Sequence, residues 1–431
     1  MPSFTLRLHA SPGTSAQEAA SSFYWLADNS SSFTGGTGPD LEILGPVAPL
    51  NADLVRIAAA VLAADQSVRR TGGGSNWNQR RIGLTVPVSA PDAWNSAATG
   101  LARVTAFLSG DEWTFTFTGG GLPAPPARTA SLSGAPARVV LVSGGADSAV
   151  GALYSRSLLT PAEHHVLVSH VGNTLIAPIQ ERTAGEIQRF IPGPGQRHVS
   201  VHLARCHRRI DGTPYPSEPS CRTRSLLFLA LGLAVASADP VPLWVPENGF
   251  SSLNPPLGPE RLGSLSTRTT HPAFLEDLAE LLAGIGAHAV IENPFARATK
   301  GEMFKKAGEL AGTEAAAVFL GGTRSCGLTG MRSFGISVAR QCGVCFGCVL
   351  RRASFAASGL RDATGYIDPG TDDRVRRWLD SKSVVQQVAN FTRRGVTARD
   401  IAALGLPASY PVRDALDLCV RGIRELETLH L

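Results

Sequence analysis

The stretch Arg138-Val139-Val140-Leu141-Val142-Ser143-Gly144-Gly145-Ala146-Asp147-Ser148-Ala149-Val150-Gly151-Ala152-Leu153-Tyr154 decides the fold. A short β-branched run reads as a strand buried on both faces. It stops at a Ser-Gly-Gly turn and gives way to a helical start. The two glycines allow backbone geometry closed to other residues and let a ligand approach the main chain. The unpaired N–H groups and aligned dipoles of a helix N-terminus favour an anion there. Ser143 and Ser148 add hydroxyls. Residues 143–148 (Ser143, Gly144, Gly145, Ala146, Asp147 and Ser148) thus read as a phosphate cradle. The Walker pattern G-x-x-x-x-G-K-[ST] is absent.

Downstream of the cradle the pattern is periodic. Strand-like runs at 138–142, 164–171, 197–203, 241–246 and 288–292 alternate with helical stretches near 149–159, 176–190, 222–237, 273–284 and 301–311. This rhythm predicts a parallel sheet with helices on both faces, with ligands at the carboxyl ends of its strands. Residues 1–118 read as a separate α+β domain: strands at Phe4–Ala10, Arg81–Val88 and Trp113–Thr118, and helices at Asn51–Arg70 and Asp92–Leu108. The first helix reads as amphipathic and capped by Asn51 and Asp53. A Gly/Pro-rich linker spans 119–137, and residues 359–431 form a helical extension after the 138–358 domain.

Cys326 precedes Cys342-Gly343-Val344-Cys345-Phe346-Gly347-Cys348. Four thiolates suit a tetrahedral ion, and C-x-x-C steps bring neighbouring sulfurs together. An iron–sulfur cluster also uses four cysteines, and the reading prefers structural Zn²⁺. Of the chain's 431 residues, 43% are hydrophobic, as in a soluble globular protein, and no apolar run reaches membrane-spanning length. The N-terminus alternates like a strand rather than a signal peptide, and clustered cysteines fit a reducing compartment, so the expected location is the cytoplasm. A net charge of +5 permits a nucleic-acid partner without indicating one.

The S-G-G-x-D-S turn resembles the PP-loop of ATP pyrophosphatases, of the adenine nucleotide alpha hydrolase-like fold. Together with the four cysteines and the Leu350-Arg351-Arg352…Phe355 tail it resembles the 7-cyano-7-deazaguanine synthase (QueC) family over about residues 138–358. Cys221-Arg222-Thr223-Arg224-Ser225-Leu226, Thr299-Lys300-Gly301-Glu302 and Ser325-Cys326 also match its segments. The resemblance implies an AMP-forming enzyme that uses ATP and Mg²⁺ to activate a 7-deazaguanine carboxylate for attack by an amine. The family's turn after the second strand is replaced by His170-Val171-Gly172-Asn173, and its segment after the fourth by Glu247-Asn248-Gly249-Phe250-Ser251-Ser252-Leu253-Asn254-Pro255-Pro256. The two extra regions look like the QueC-like proteins of bacterial antiphage operons of the Qat and type IV CBASS kinds. This implies a protein partner from the same operon, docked on residues 1–118 and supplying the amine.

The expected roles follow from chemistry. Asp147 orients phosphates indirectly, through loop hydrogen bonds or Mg²⁺, because a bare carboxylate repels them. Lys300 offers a compact charge to the leaving pyrophosphate. Arg222 and Arg224 grip phosphate or carboxylate. Glu247 and Asn248 read a guanine-like base, and Arg268 and His271 form a substrate rim. Three other readings compete: synthesis of the free nitrile, tRNA sulfur transfer through Cys206, Cys221 or Cys419, and a non-catalytic nucleotide sensor.

Overall fold

Strand β6 (Ala135–Leu141) lies at the centre of a five-stranded sheet because its valines are apolar on both faces. The computed structural model describes residues 1–9, 15–27, 31–70, 79–125, 134–172, 175–193, 195–255, 268–328, 333–337, 339–368, 370 and 372–430. β7 (Glu163–Val171), β8 (Arg197–His202), β10 (Leu243–Trp244) and β11 (Ile291–Glu292) complete the sheet. Its order is β11-β10-β6-β7-β8, and every pairing is parallel. Strand order reverses between β6 and β10, which opens a crevice beyond their carboxyl ends. Val140, Val142 and Leu167 pack on helix α4 (Ala146–Ser157) and α5 (Ala177–Phe190). Val139, Val166 and Val199 on the other face pack in the core that contains α6 (Arg224–Ala236). The α/β architecture with helices on both faces is thus as expected.

The N-terminal region corrects the expectation of an α+β domain. Its strands β1 (Ser3–Arg7), β2 (Ser22–Tyr24), β4 (Arg81–Pro87) and β5 (Glu112–Thr118) form a second sheet, order β2-β1-β4-β5, also wholly parallel. Trp113, Phe115 and Phe117 of β5 are buried while Glu112, Thr114, Thr116 and Thr118 are exposed. Such alternation is usual for antiparallel sheets with one wet face. Here a parallel sheet is half-covered, so alternation gave the burial but not the strand direction.

Helix α2 (Pro49–Ser67) brings the second correction. Sixteen of its nineteen residues are buried, so it is enclosed around its whole circumference rather than amphipathic. It packs on α6 and joins the two sheets in one continuous core. Ala48 is its N-cap, and Asn51 and Asp53 serve as cross-links instead. Asn51 exchanges two hydrogen bonds with the His288 backbone, and Asp53 accepts from Ser89 N and Oγ. Arg56 donates to the carbonyls of Pro39, Leu122 and Pro123, pinning the first half of the linker to this helix. Buried polar groups are tolerated when each finds a partner. A two-stranded antiparallel ribbon of β3 (Phe33–Thr34) and β9 (Ala204–Arg205) adds a further tie between the regions.

The remaining helices are α1 (Ala16–Ala20), α3 (Pro91–Ser109), α7 (Gly249–Leu253), α8 (Pro272–Gly284), α9 (Lys300–Ala311), α10 (Thr313–Gly321) and α11 (Phe346–Ser358). The C-terminal extension is helical as read: α12 (Asp373–Lys382), α13 (Val385–Arg394), α14 (Ala398–Ala402) and α15 (Val412–Glu427). It packs on α7 and α11 through Leu418, Ile423 and Leu426.

Candidate functional site

The turn after β6 is fixed before any ligand arrives. Gly144 has φ +84°, and a Cβ there would lie 3.0 Å from Ile176 Cδ1, so both conformation and space call for glycine. Ser148 Oγ accepts from Ser143 N (3.1 Å) and donates to Gly145 O (3.0 Å), and Ser143 Oγ accepts from Gly145 N (3.3 Å). The Arg324 amide donates to Gly144 O at 2.9 Å. The serines therefore shape the loop, and both also face the cleft. Gly145 is the N-cap of α4, whose first turn points its amides out of the loop.

Behind the loop lies a charged triad drawn from three elements. Lys300 Nζ, at the start of α9, donates to Asp147 Oδ1. Asn248 gives Asp147 Oδ2 two hydrogen bonds, from Nδ2 (2.6 Å) and from N (3.2 Å). Burial opposes the Asp147 charge, but Lys300, with hydrogen bonds from Glu247 and Asn248, outweighs it and holds the carboxyl well below its ordinary range. Glu247 moves the other way: burial first, then the Asp147 charge, raise it well above the ordinary value. The two neighbouring carboxyls are thus driven in opposite directions, Asp147 towards the charged form and Glu247 towards the neutral one. Asp147 does not line the cleft, and its carboxylate is spent on Lys300 and Asn248. Glu247 is the member that lines the cleft.

The cleft has two lobes. The first, of 410 Å³, lies at the strand-order reversal, between Ser143 and Leu141 on one side and Val245, Pro246 and Glu247 on the other. Arg222, Arg224, Ser225 and Arg268 line it, and Gln66 of α2 reaches it from the N-terminal region. The second, of 360 Å³, lies beyond β7, lined by His170, Gly172, Ile176, Arg324 and Cys326. Ser143, Arg224 and Phe228 border both. Burial and nearby arginine lower the pKa of His170 to about 4, so its ring is neutral. Its Nε2 lies 2.7 Å from Leu203 O.

The N-terminal and C-terminal regions both reach the helices around the cleft. Asp65 Oδ2, from α2, accepts from Arg222 N (2.8 Å), Thr223 N (3.0 Å) and Thr223 Oγ1 (2.9 Å) just before α6 begins. Its other oxygen accepts from Arg80, which also binds Asp111. Glu425 of α15 accepts from the Gly301 amide (2.9 Å) and from Thr299 Oγ1 at the start of α9. Thus one carboxylate from each end of the chain holds the start of a helix: that of α6, whose Arg224 lines the cleft, and that of α9, whose Lys300 pairs with Asp147. Neither was foreseen; Asp65 is an isolated acid in the run Ala63-Ala64-Asp65, a pattern without chemical meaning until its partner is seen.

Two of the expected base- and rim-contacting residues have other work. Asn248 is fully buried and caps α7 through Ser251 N (2.9 Å), with its amide spent on Asp147, Glu247 and Ser251. His271 is buried, caps α8 through Ala273 N (3.2 Å) and packs on Phe107. Burial lowers its pKa to about 4. Arg268 does line the cleft, held over the Phe107 ring at 4.6 Å. Arg222 lines it too, with its guanidinium 3.3 Å from Ser109 O. Asn173 and residues 256–267 lie outside the described residues.

Cys326, Cys342, Cys345 and Cys348 place all four sulfurs within 4.8 Å of one another. Cys342 and Cys348 Sγ are 3.7 Å apart, and Cys326 and Cys345 Sγ 4.0 Å. A tetrahedral ion with bonds of about 2.3 Å holds its sulfurs about 3.8 Å apart, so the set fits a single metal ion. Gln341 Oε1 accepts from the Ser325 and Cys326 amides, orienting the first ligand. Buried Arg351 ties α11 to Leu320 O, Thr323 and Ser325. Cys326 also borders the second lobe, so the cysteine cluster braces one wall of the cleft. Comparison of the chain with models of protein families, with curated proteins and with solved structures returned no match.

Proposed function

We propose that the protein is an ATP-dependent, AMP-forming carbon–nitrogen ligase of the QueC-like type. It activates a 7-deazaguanine carboxylate and passes the acyl group to an amine, in antiphage defence, with the N-terminus of an operon-encoded partner protein as acceptor. The observation that carries this reading is the glycine loop at the strand-order reversal, opening onto a cleft with three arginines and with Lys300 behind it. A carboxylate oxygen attacks the α-phosphorus, its bond to the bridging oxygen breaks, and pyrophosphate leaves with that bond's electrons. The amine then attacks the acyl carbon, the carbon–oxygen bond to AMP breaks, and the amine proton passes to solvent. The α4 amides hold the phosphates, and Lys300 offsets the negative charge that grows on the leaving group.

Mg²⁺ fits this site as an ion carried in by the nucleotide, because among the described residues Glu247 is the single carboxylate on the first lobe. Zn²⁺ would be held by Cys326, Cys342, Cys345 and Cys348 and supplies folding energy to the knuckle rather than chemistry. The sulfur-transfer reading finds little support: burial and Asp65 push the Cys221 thiol up to about 12, leaving almost no thiolate at neutral pH. Product analysis tests the proposal. With ATP, 7-carboxy-7-deazaguanine and co-expressed partner, AMP and pyrophosphate should form and the partner should gain the acyl mass. ADP and orthophosphate, or a free nitrile with the partner unmodified, would refute it.

A further inference from the structure

The start of α6 forms a second wall of polar donors across the first lobe from the glycine loop. α6 is thirteen residues long and begins at Arg224. Asp65 uses the amides of Arg222 and Thr223, but it does not reach those of Arg224 and Ser225. These belong to the first helical turn, where amides have no acceptor within the helix. The Ser225 side chain borders the lobe, is 5% exposed, and its hydroxyl has no hydrogen-bond partner. An orphaned hydroxyl at a cavity wall is a donor awaiting a ligand. Arg224 is exposed on the same wall, its guanidinium 5.5 Å from the centre of the Phe228 ring and making no ion pair among the described residues. Leu141, Phe228, Leu229, Val245 and Pro246 supply an apolar bed beside it.

We propose that the cleft holds two anions at once. The phosphate chain lies on the start of α4, and a carboxylate borne by a planar ring lies on the start of α6, gripped by Ser225 Oγ, the first-turn amides and Arg224. The ring rests on the Phe228 side of the lobe. This placement rests on the adenylation reading and deepens it, because it names the group that receives the acyl substrate. Arg80 neutralises Asp65 beneath the seat, so the capping carboxylate does not repel the ligand. Each anion has its own helix terminus, and neither has to displace the other.

The test uses the full chain with pyrophosphate and indole-3-carboxylate as probes, titrated calorimetrically. Saturating pyrophosphate should change the carboxylate affinity by less than about threefold. Loss of a hydrogen bond to a charged group costs about tenfold or more in affinity. Ser225→Ala should therefore weaken carboxylate binding about tenfold and leave pyrophosphate binding unchanged, and Ser148→Ala should do the reverse. Arg224→Gln, on an exposed side chain that leaves the core intact, gives the same carboxylate loss if Ser225→Ala fails to fold. Mutual exclusion of the two probes, absence of carboxylate binding, or equal loss of both probes in Ser225→Ala or Arg224→Gln would overturn the proposal. If both anions bind as described but no acyl substrate yields AMP, the two-anion cleft stands and the adenylation reading falls.

Discussion

Glu247→Gln tests the proton retained behind the glycine loop. Burial and the neighbouring Asp147 charge raise the Glu247 pKa well above the ordinary 4.5. Between that ordinary value and its raised value, the folded chain binds a proton that the unfolded chain has released. Stability must then fall as pH rises through this window, by about 1.4 kcal/mol per pH unit for one proton. The sign is opposite for Asp147, whose depressed pKa gives stability above the ordinary aspartate value that is lost only as pH falls below it. Glutamine keeps the shape of Glu247, donates to Asp147 through Nε2 and accepts from Asn248 through Oε1, but has no proton to lose. The Asp147 contribution remains in both proteins because Lys300 is untouched. Urea unfolding followed by tryptophan fluorescence, from pH ~5 to pH ~7.5, reads the difference. Relative to wild type the variant should gain about 1.4 kcal/mol over the first unit of the window and level off once wild-type Glu247 ionises. Parallel pH profiles would show that Glu247 titrates normally and that the pair does not share a proton.

Lys300→Met leaves Asp147 buried without its cation, a loss of about 3–5 kcal/mol, and should abolish AMP formation; Asp147→Asn added to it should recover stability in urea unfolding but not activity. Arg80→Leu leaves buried Asp65 without its cation, while Arg70 still pairs with Asp111, and should cost about 3–5 kcal/mol, seen as a lower urea midpoint. Cys342→Ser, or chelation under denaturant, should remove one metal ion per chain by elemental analysis and make the 326–358 region protease-sensitive; folded, metal-free protein with native protection would contradict the site. Deleting residues 1–118 should yield insoluble protein, because it strips α2 from α6 and uncovers a wall of leucines and alanines. A soluble truncation that still forms AMP would show the N-terminal region to be a detachable docking module.

The strand–glycine turn–helix, the five parallel strands and the cysteine set were legible because each depends on local order: a β-branched run before Gly-Gly, a change of period, sulfurs three residues apart. What stayed hidden depends on contacts far apart in the chain. Asp65 meets Thr223 and Glu425 meets Gly301 across more than a hundred residues, and nothing in the spacing announces either. Asn248 and His271 were misread for the same reason, since a side chain at the end of a strand or before a helix can face the ligand or cap the helix. The N-terminal strands alternate whether their neighbours run parallel or not, so strand direction awaited the pairing itself. The polar residues Asn51, Asp53 and Arg56 imply an exposed helix face until the groups that satisfy them are seen.

Helix α2, closed in between the two sheets, shares one hydrophobic core with both, so the two sheets should open together. Its amides should then exchange with solvent only when the cleft-bearing sheet also comes apart, so that their protection would measure global rather than local opening. A ligand bound at the cleft stabilises that common state by mass action and must slow exchange in α2 as much as in α6, although Gln66 is the one α2 residue at the cavity wall. Calorimetry should accordingly record one melting transition spanning both sheets, and nucleotide should move it as a whole.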